Sequence, residues 1–268
     1  PFTFQTSDFS RLSVIIYLAA YLDINHRKIT HFTNGLLPPL LMLTAIFSLI
    51  VLQPDFSTAM VIALIGFVIL FIGGAKISQL VACGSIGITL SVPILLLKSY
   101  RLDRLLAWFN HEGANNYQAS QSLISLGNGG LFGLGLGQSM QKDHFLPTPH
   151  TDFIFAIICE ETGFLGGMFL LFLFILIYRR GIKIAKTCTD PFGIFLAVGI
   201  GFNIICYTFI NVAVVTGILP VTGLQIPMVS YGGSGLIITL IEVGILLNIS
   251  QRKRSVFLSN IRNKRIYG

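Results

Sequence analysis

Seven apolar segments, joined by short polar connections and one long one, constrain the fold more than any other feature of this sequence. Their approximate bounds are 9–22, 35–52, 57–73, 77–97, 153–178, 192–216 and 231–250. A helix needs about 20 apolar residues to cross the hydrocarbon core of a bilayer. Backbone polar groups in lipid must be satisfied within the segment, so such segments form helices. The pattern predicts an all-α, polytopic integral membrane protein with about seven transmembrane helices in this chain.

The composition agrees with a membrane protein and excludes a soluble enzyme, a disordered tail and a fibrous repeat. Only 11% of the 268 residues are charged and 53% are hydrophobic, whereas roughly 25% are charged in a typical soluble domain. So few charges could not cover a soluble globule of this size. The four cysteines show neither metal-ligand spacing nor a disulfide framework, and we interpret them as packing residues and one loop thiol.

The positive charges predict the side on which each connection lies. The net charge is +7, yet the connections near 53–56 and 217–230 contain no Lys or Arg. Thirteen of the 18 Lys and Arg lie instead in alternate connections and in the C-terminal stretch, at Arg27, Lys28, Lys76, Arg179, Arg180, Lys183, Lys186, Arg252, Lys253, Arg254, Arg262, Lys264 and Arg265. The positive-inside rule places this set in the cytoplasm. No motif that reads a nucleic-acid groove is present, so we expect no nucleic-acid partner.

The long connection, at about residues 98–151, falls on the outer side and is the expected place of function. Loops of this length in compact proteins are usually functional or disordered. The apolar, helix-like stretches 102–109 and 117–126 argue against disorder. We therefore expect one transmembrane domain over residues 1–250, which includes this loop, followed by a basic cytoplasmic tail over 251–268.

Three cations of the outer loop are candidate anion-binding groups. Arg101 and Arg104 are three residues apart and would share one face of a helix. Their guanidinium groups, together with Lys142, suit a diphosphate, because a guanidinium fork binds two phosphate oxygens. The alternative is that these side chains reach lipid headgroups.

Asp152 is the first catalytic candidate, because it lies where the outer loop enters the fifth apolar segment. A carboxylate at the rim of the membrane can act as a general base on a hydroxyl. The alternative is an N-cap, since Asp at a helix start satisfies free amides and suits the helix dipole. His150 is a weaker candidate, for which a loop or capping role is the default.

Three acids lie inside apolar segments: Glu160, Glu161 and Glu242. Ionisable residues at membrane depth are costly, and they are functional by default. Proton or ion coupling in a transporter would use such groups. The alternative is a buried acid satisfied by Ser, Asn or Arg on a neighbouring helix.

Two irregular stretches predict backbone that is not regular helix. The glycine run Gly127–Gly137 has no Walker lysine and no full dinucleotide fingerprint, and it predicts a tight turn close to other backbone. The stretch 219–227 contains Pro220, Gly223 and Pro227 and cannot be helical throughout. It suggests a cavity wall, because broken backbone at membrane depth survives inside protein or beside a cavity, although an ordinary outer loop is the alternative.

Several strings together carry a resemblance to a known family. They are Phe4–Asp8, Leu52–Asp55, Gly127–Gly137, Phe145–Pro147, His150–Ala156, Glu160–Gly163, Pro220–Gly223 and Ser230–Ser234. Over essentially its whole length the chain resembles the SEDS family (shape, elongation, division and sporulation), the polytopic glycosyltransferases of bacterial peptidoglycan synthesis. The strings 138–142 and 247–250 are closer to the division branch, FtsW, than to the elongation branch, RodA.

The resemblance also has departures. The family has ten spans and two cytoplasmic termini, and this chain resembles the last seven, so we expect three spans upstream. The family's first motif reads Gln-Pro-Ser-Glu with a lysine three residues on, where this chain has Asp8 and Arg11. The last motif usually has a second serine where this chain has Gly235.

The resemblance implies a peptidoglycan glycosyltransferase of the inner membrane, acting at the septum. It would polymerise lipid II on the outer face and release undecaprenyl diphosphate, with Mg²⁺ or Mn²⁺ as the candidate cofactor. Its implied partners are a class B penicillin-binding transpeptidase and other divisome membrane proteins. Asp152 would be catalytic, and the expected substrate-binding residues are Arg101, Arg104, Lys142, His150, Glu160, Glu161, Ser230 and Tyr231.

Two other functions fit the same sequence. A lipid II flippase would use the acids within the spans and would need a polar path to the inner face. A scaffold that recruits a transpeptidase would tolerate changes at Asp152 but not on its helix surfaces. A transferase needs only an outward cavity that ends at Asp152.

Overall fold

The computed structural model describes residues 5–96, 99–110, 114–141 and 151–267, and these ranges contain helices, turns and irregular segments but no strand. The α-helices are α1 (Thr6–Asn25), α2 (Leu37–Leu52), α3 (Phe56–Ile72), α4 (Ile77–Leu96), α5 (Ser99–Asn110), α6 (Ala114–Gly129), α7 (Ile154–Thr187), α8 (Pro191–Val215) and α9 (Gly233–Tyr267). A π-helical turn, Phe32–Leu36, precedes α2. Each predicted apolar segment lies largely within one helix, and α5 and α6 contain the two helix-like stretches of the long connection, so the all-α prediction is confirmed.

The helices are those of a multi-pass membrane protein. Within the described part of the chain, four stretches are long and apolar enough to cross a bilayer: Phe32–Leu52, Ile154–Thr187, Pro191–Val215 and Gly233–Gln251. The apolar helices Phe56–Ile72 and Ile77–Pro93 are shorter. Large apolar side chains remain exposed on α7, such as Phe169 and Phe172, as expected where a helix faces lipid rather than water.

The centre of the bundle is α8, against which α1, α3 and α7 pack. Its side chains at Ala197, Ile200 and Ile204 are fully buried. A Cβ atom at Gly199 would lie 2.7 Å from the Ile15 side chain of α1, so this glycine lets the two helices approach closely. The bundle core therefore forms around a helix that is hydrophobic on nearly every side.

The glycine run forms a tight turn that lies against a break in α7. At Gly163 the backbone has φ 74° and ψ −176°, which interrupts the helix. Across the break, the Phe164 amide donates to the carbonyl of Gly130 (2.9 Å), and the Leu134 amide donates to the carbonyl of Glu160 (2.9 Å). The turn thus satisfies backbone groups that the break would leave unpaired. The prediction of a turn close to other backbone is confirmed, whereas the break itself was not predicted.

The C-terminal stretch is helical over the described residues. Helix α9 continues past residue 250 to Tyr267. The division between the transmembrane domain and a basic tail at residue 250 stays a prediction.

Candidate active site

Asp152 lies in the turn that leads into α7. The N-cap position is held by Phe153, and no side chain caps this helix end, so the capping alternative is not the arrangement found. The peptide carbonyl of Asp152 accepts a hydrogen bond from Asn211 Nδ2 (2.7 Å). The carbonyl of Thr151 accepts one from Ser230 Oγ (2.7 Å). Two neighbouring peptide groups are thus held by side chains from two other parts of the chain.

The same two side chains hold the irregular segment after α8. Asn211 Nδ2 also donates to the carbonyl of Leu224 (2.7 Å), and Ser230 Oγ accepts from the Ile226 amide (2.9 Å). Gly223 has φ +75°, and a Cβ atom there would lie 3.7 Å from Asp152 Oδ2. Asn211 and Ser230 therefore clamp this segment, which we call the clamped loop (residues 216–230), around the Asp152 carboxylate.

The clamped loop forms one wall of a small pocket, as the sequence suggested. The pocket is about 40 Å³, which is room for about three water molecules at about 10–15 Å³ each. Its lining comes from α1, α3, α8, the clamped loop and the start of α9, and includes Asp8, Arg11, Tyr207, Gly223, Gln225 and Ser230.

The electrostatics of Asp152 suit a proton acceptor. Burial raises the pKa of the Asp152 carboxyl above its ordinary value, and a hydrogen bond from the Thr151 side chain and the charge of Arg104 lower it in part. A base whose pKa is moved toward the working pH is a better general base. The charges of Arg104 and Asp152 therefore interact electrostatically across the site.

Helix α5 places the side chains of Arg104 and Trp108 against the clamped loop. Arg104 Nη1 donates to the carbonyl of Val221 (3.4 Å), and Trp108 Nε1 donates to the carbonyl of Gly217 (2.8 Å). Of the predicted cationic set, Arg104 is thus brought to Asp152. Arg101 lies one turn earlier on α5, but its side chain is outside the described residues, as are Lys142 and His150 entirely.

A buried polar network adjoins the pocket through Arg11 and Tyr207, which line it. Arg11 Nε lies 3.6 Å from Glu242 Oε1, and the guanidinium carbon is 4.5 Å from the centre of the Tyr207 ring. Asn203 Nδ2 lies 2.8 and 2.9 Å from the two oxygens of Glu242. Glu242 is therefore a buried acid satisfied by Arg and Asn of neighbouring helices. Asn203 and Tyr207 were missed as site residues; the available signal was their polar character inside an apolar segment.

Several strings that carried the family resemblance meet at this end of the bundle. Ser234 Oγ donates to Asp8 Oδ2 (2.8 Å), and Gln5 Nε2 donates to Asp55 Oδ2 (3.4 Å). Asp55 also caps α3 by accepting from the Thr58 amide (3.1 Å). Strings up to 226 residues apart in sequence thus build one surface beside Asp152.

Glu160 has a different environment from Asp152. Its carboxylate is fully buried and accepts hydrogen bonds from Ser125, Asn128 and Ser139. Glu160 is therefore a buried acid satisfied by polar side chains of neighbouring segments, which was one of the two interpretations of the sequence. Its hydrogen bonds join α7 to α6 and to the residues after the glycine run. The carbonyl of Glu161 accepts from the Gly135 amide (3.0 Å). A substrate-binding role for either acid stays a prediction.

The two remaining predicted residues lie close in sequence but differ in exposure. Ser230 is buried and fully engaged in the clamp described above. Tyr231 is 81% exposed at the end of the clamped loop. Ser230 therefore positions backbone, whereas Tyr231 is free to contact a bound molecule.

Fold and site together define an all-helical, multi-pass membrane protein with a clamped carboxylate at one end of its bundle. The chain belongs to the FtsW/RodA/SpoVE family, whose family model, described as "Cell cycle protein", matches residues 1–255. The resemblance to the SEDS family is thereby confirmed.

Named relatives agree with this assignment. The chain is 43% identical to Stage V sporulation protein E of Bacillus subtilis over 94% of this chain and 70% of that protein. It is 38% identical to the probable peptidoglycan glycosyltransferase FtsW of Geobacter sulfurreducens, over 94% of this chain and 68% of that protein. A solved structure, "Structural coordination of polymerization and crosslinking by a peptidoglycan synthase complex", matches with TM-score 0.76 and 27% identity, over 94% of this chain and 71% of that chain.

Proposed function

We propose that this chain is a peptidoglycan glycosyltransferase that polymerises lipid II into glycan strands during septal wall synthesis. The observation that carries the proposal is the clamped Asp152, a half-buried carboxylate with raised pKa beside the Arg104 cation. Membership of the FtsW/RodA/SpoVE family and 38% identity to a probable FtsW glycosyltransferase support the choice of reaction.

In the proposed reaction, Asp152 takes the proton of a sugar hydroxyl. The 4-hydroxyl oxygen of one lipid-linked sugar attacks the anomeric carbon at the end of the growing strand. The new bond joins that oxygen to the anomeric carbon, while the bond from this carbon to the diphosphate breaks and undecaprenyl diphosphate leaves. The diphosphate departs already charged, so it needs electrostatic stabilisation rather than a strong acid. Arg104 supplies positive charge there, with Arg101 and Lys142 proposed beside it.

A divalent cation, Mg²⁺ or Mn²⁺, stays a prediction. Among the described residues, no group of three or more His, Cys, Asp or Glu could hold a metal ion. Mg²⁺ is often held by one or two carboxylates together with substrate phosphates, so Asp152 would be its protein ligand beside a bound diphosphate. We assign no step to a metal.

The proposed setting follows from charge and from the family. We place the Asp152 end of the bundle on the outer face and the C-terminus in the cytoplasm, because the basic connections lie at the other end. The proposed partners are a class B penicillin-binding transpeptidase and other divisome proteins. A structural neighbour that is a peptidoglycan synthase complex supports such a partnership.

The proposal is tested by incubating the full-length protein and its transpeptidase with lipid II. A transferase produces glycan strands, seen as a ladder on a gel, together with undecaprenyl diphosphate. If liposomes containing the protein translocate lipid II but no strands form, the protein is a flippase and the proposal is wrong. If neither activity occurs and the transpeptidase alone is recruited, the scaffold function takes its place.

A further inference from the structure

A second pocket lies at the opposite end of the bundle from Asp152. It has a volume of about 160 Å³, which is room for about 11–16 water molecules at about 10–15 Å³ each. It lies at the last turns of α7, whereas Asp152 precedes the first turn of that helix, so it is separate from the candidate active site. It forms where the last turns of α7 meet α9, and its lining includes Arg180, Lys183, Ile184, Thr187, Ile249 and Ser250.

The pocket is positively charged. Arg180 and Lys183 are both exposed, and among the described residues neither takes part in an ion pair, since the salt bridge found there joins Arg11 to Glu242. Asp190 begins the next helix close by but does not line the pocket. The two lining cations therefore give this space a net positive charge even with Asp190 nearby.

The walls also contain apolar surface. Ile184 of α7 and Ile249 of α9 line the pocket together with the two cations. A cationic pocket with apolar walls matches a phospholipid, whose phosphate is anionic and whose acyl chains are apolar. Basic pockets between transmembrane helices bind anionic headgroups in this way.

We propose that this pocket binds the phosphodiester headgroup of an anionic phospholipid. The guanidinium group of Arg180 binds two phosphate oxygens, and Lys183 adds a second positive charge. Ile249 contacts the glycerol and the first acyl carbons. The bound lipid then links the end of α7 to α9. Inorganic phosphate shares the anionic chemistry but not the apolar part, so the two sources of phosphate can be distinguished.

The test measures lipid retention by the full chain in neutral detergent, using native mass spectrometry with phosphatidylglycerol or phosphatidylcholine added. The double variant Arg180→Gln/Lys183→Gln removes the pocket's charges. The matched control Arg27→Gln/Lys28→Gln removes two exposed charges from another connection at the same end of the bundle. Ile249→Trp fills the pocket while leaving both cations in place.

We expect the native chain to prefer phosphatidylglycerol by at least about tenfold, since each cation near a membrane surface contributes to binding of anionic lipid. Both pocket variants should lose this preference, and the control pair should keep it. An excess of inorganic phosphate should leave the bound lipid in place. The proposal is overturned if the pocket variants retain the preference, if the control loses it equally, or if inorganic phosphate displaces the lipid.

Discussion

The position of Asp152 depends on the hydrogen bonds that hold its backbone as well as on those of its side chain. Asn211 and Ser230 fix the peptide carbonyls of residues 152 and 151, so the backbone that carries the carboxylate is held beside the clamped loop. Such positioning matters for catalysis because small displacements of a catalytic group cost large factors in rate.

The first prediction concerns the charge beside this carboxylate. Asp152 accepts a proton only when ionised, so activity should fall as the pH drops through its pKa, which burial raises. Arg104 lowers that pKa, so Arg104→Gln should raise it further and move the acid limb of the rate profile to higher pH. Arg104→Lys should leave the limb near its native position. The measurement is the rate of strand formation against pH, and a limb that stays in place in Arg104→Gln would refute the coupling.

The second prediction concerns the clamp. Asn211→Leu leaves the carbonyls of Asp152 and Leu224 without their donor, at about 1–3 kcal/mol for each unsatisfied group. We expect loss of stability by about 2–4 kcal/mol, faster hydrogen exchange in the clamped loop and loss of strand formation. Thr208→Val is the control, because the Thr208 hydroxyl donates to Ile204 within the same helix. Equal behaviour of the two variants would show that Asn211 does not position the loop.

At the scale of elements, the positions and lengths of the apolar segments predicted the helices well. Segment boundaries followed hydrophobicity, and the same property determines which residues can lie in lipid. The break at Gly163 was not predictable in this way, because Gly163 stands inside an apolar stretch and glycine is common within transmembrane helices. Only the contact with the distant glycine turn makes the break favourable.

The third prediction concerns this contact. A Cβ atom at Gly129, the last residue of α6, would overlap the carbonyl of Cys159, whereas one at Gly127 would meet nothing within 4 Å. We expect Gly129→Ala to destabilise the protein by about 2–3 kcal/mol or more, because backbone cannot yield. Gly127→Ala should be neutral or stabilising by up to about 1 kcal/mol. Thermal unfolding in detergent measures both, and similar midpoints would contradict the close packing of the turn.

At the scale of the whole molecule, the buried Arg11–Glu242 pair joins the first described helix to the last. The sequence predicted that an acid within a span needs a partner, but it could not name that partner, because the two residues are brought together only by the packing of the bundle. The same holds for Asp8 and Ser234. Asp152 was identifiable because the motif around it is local.

The fourth prediction tests this long-range pair. Glu242→Gln leaves the Arg11 charge buried without its acid, and Arg11→Met leaves the acid without its cation. Each should destabilise the protein by about 3–5 kcal/mol, whereas the double variant should cost clearly less than the sum. Lys28→Gln, an exposed charge, should change stability by less than about 0.5 kcal/mol. Additive costs in denaturation measurements would mean that the two side chains do not interact.

The most direct measurement for the account as a whole is the rate of lipid II polymerisation by Asp152→Asn in the full-length protein with its transpeptidase. Asparagine keeps the size of the side chain but cannot accept the proton, so we expect the rate to fall by about 10²–10⁴-fold at unchanged membrane levels. Asp190→Asn, at the other end of the bundle, should leave the rate unchanged. A native rate in Asp152→Asn would contradict the proposal that this carboxylate is the base.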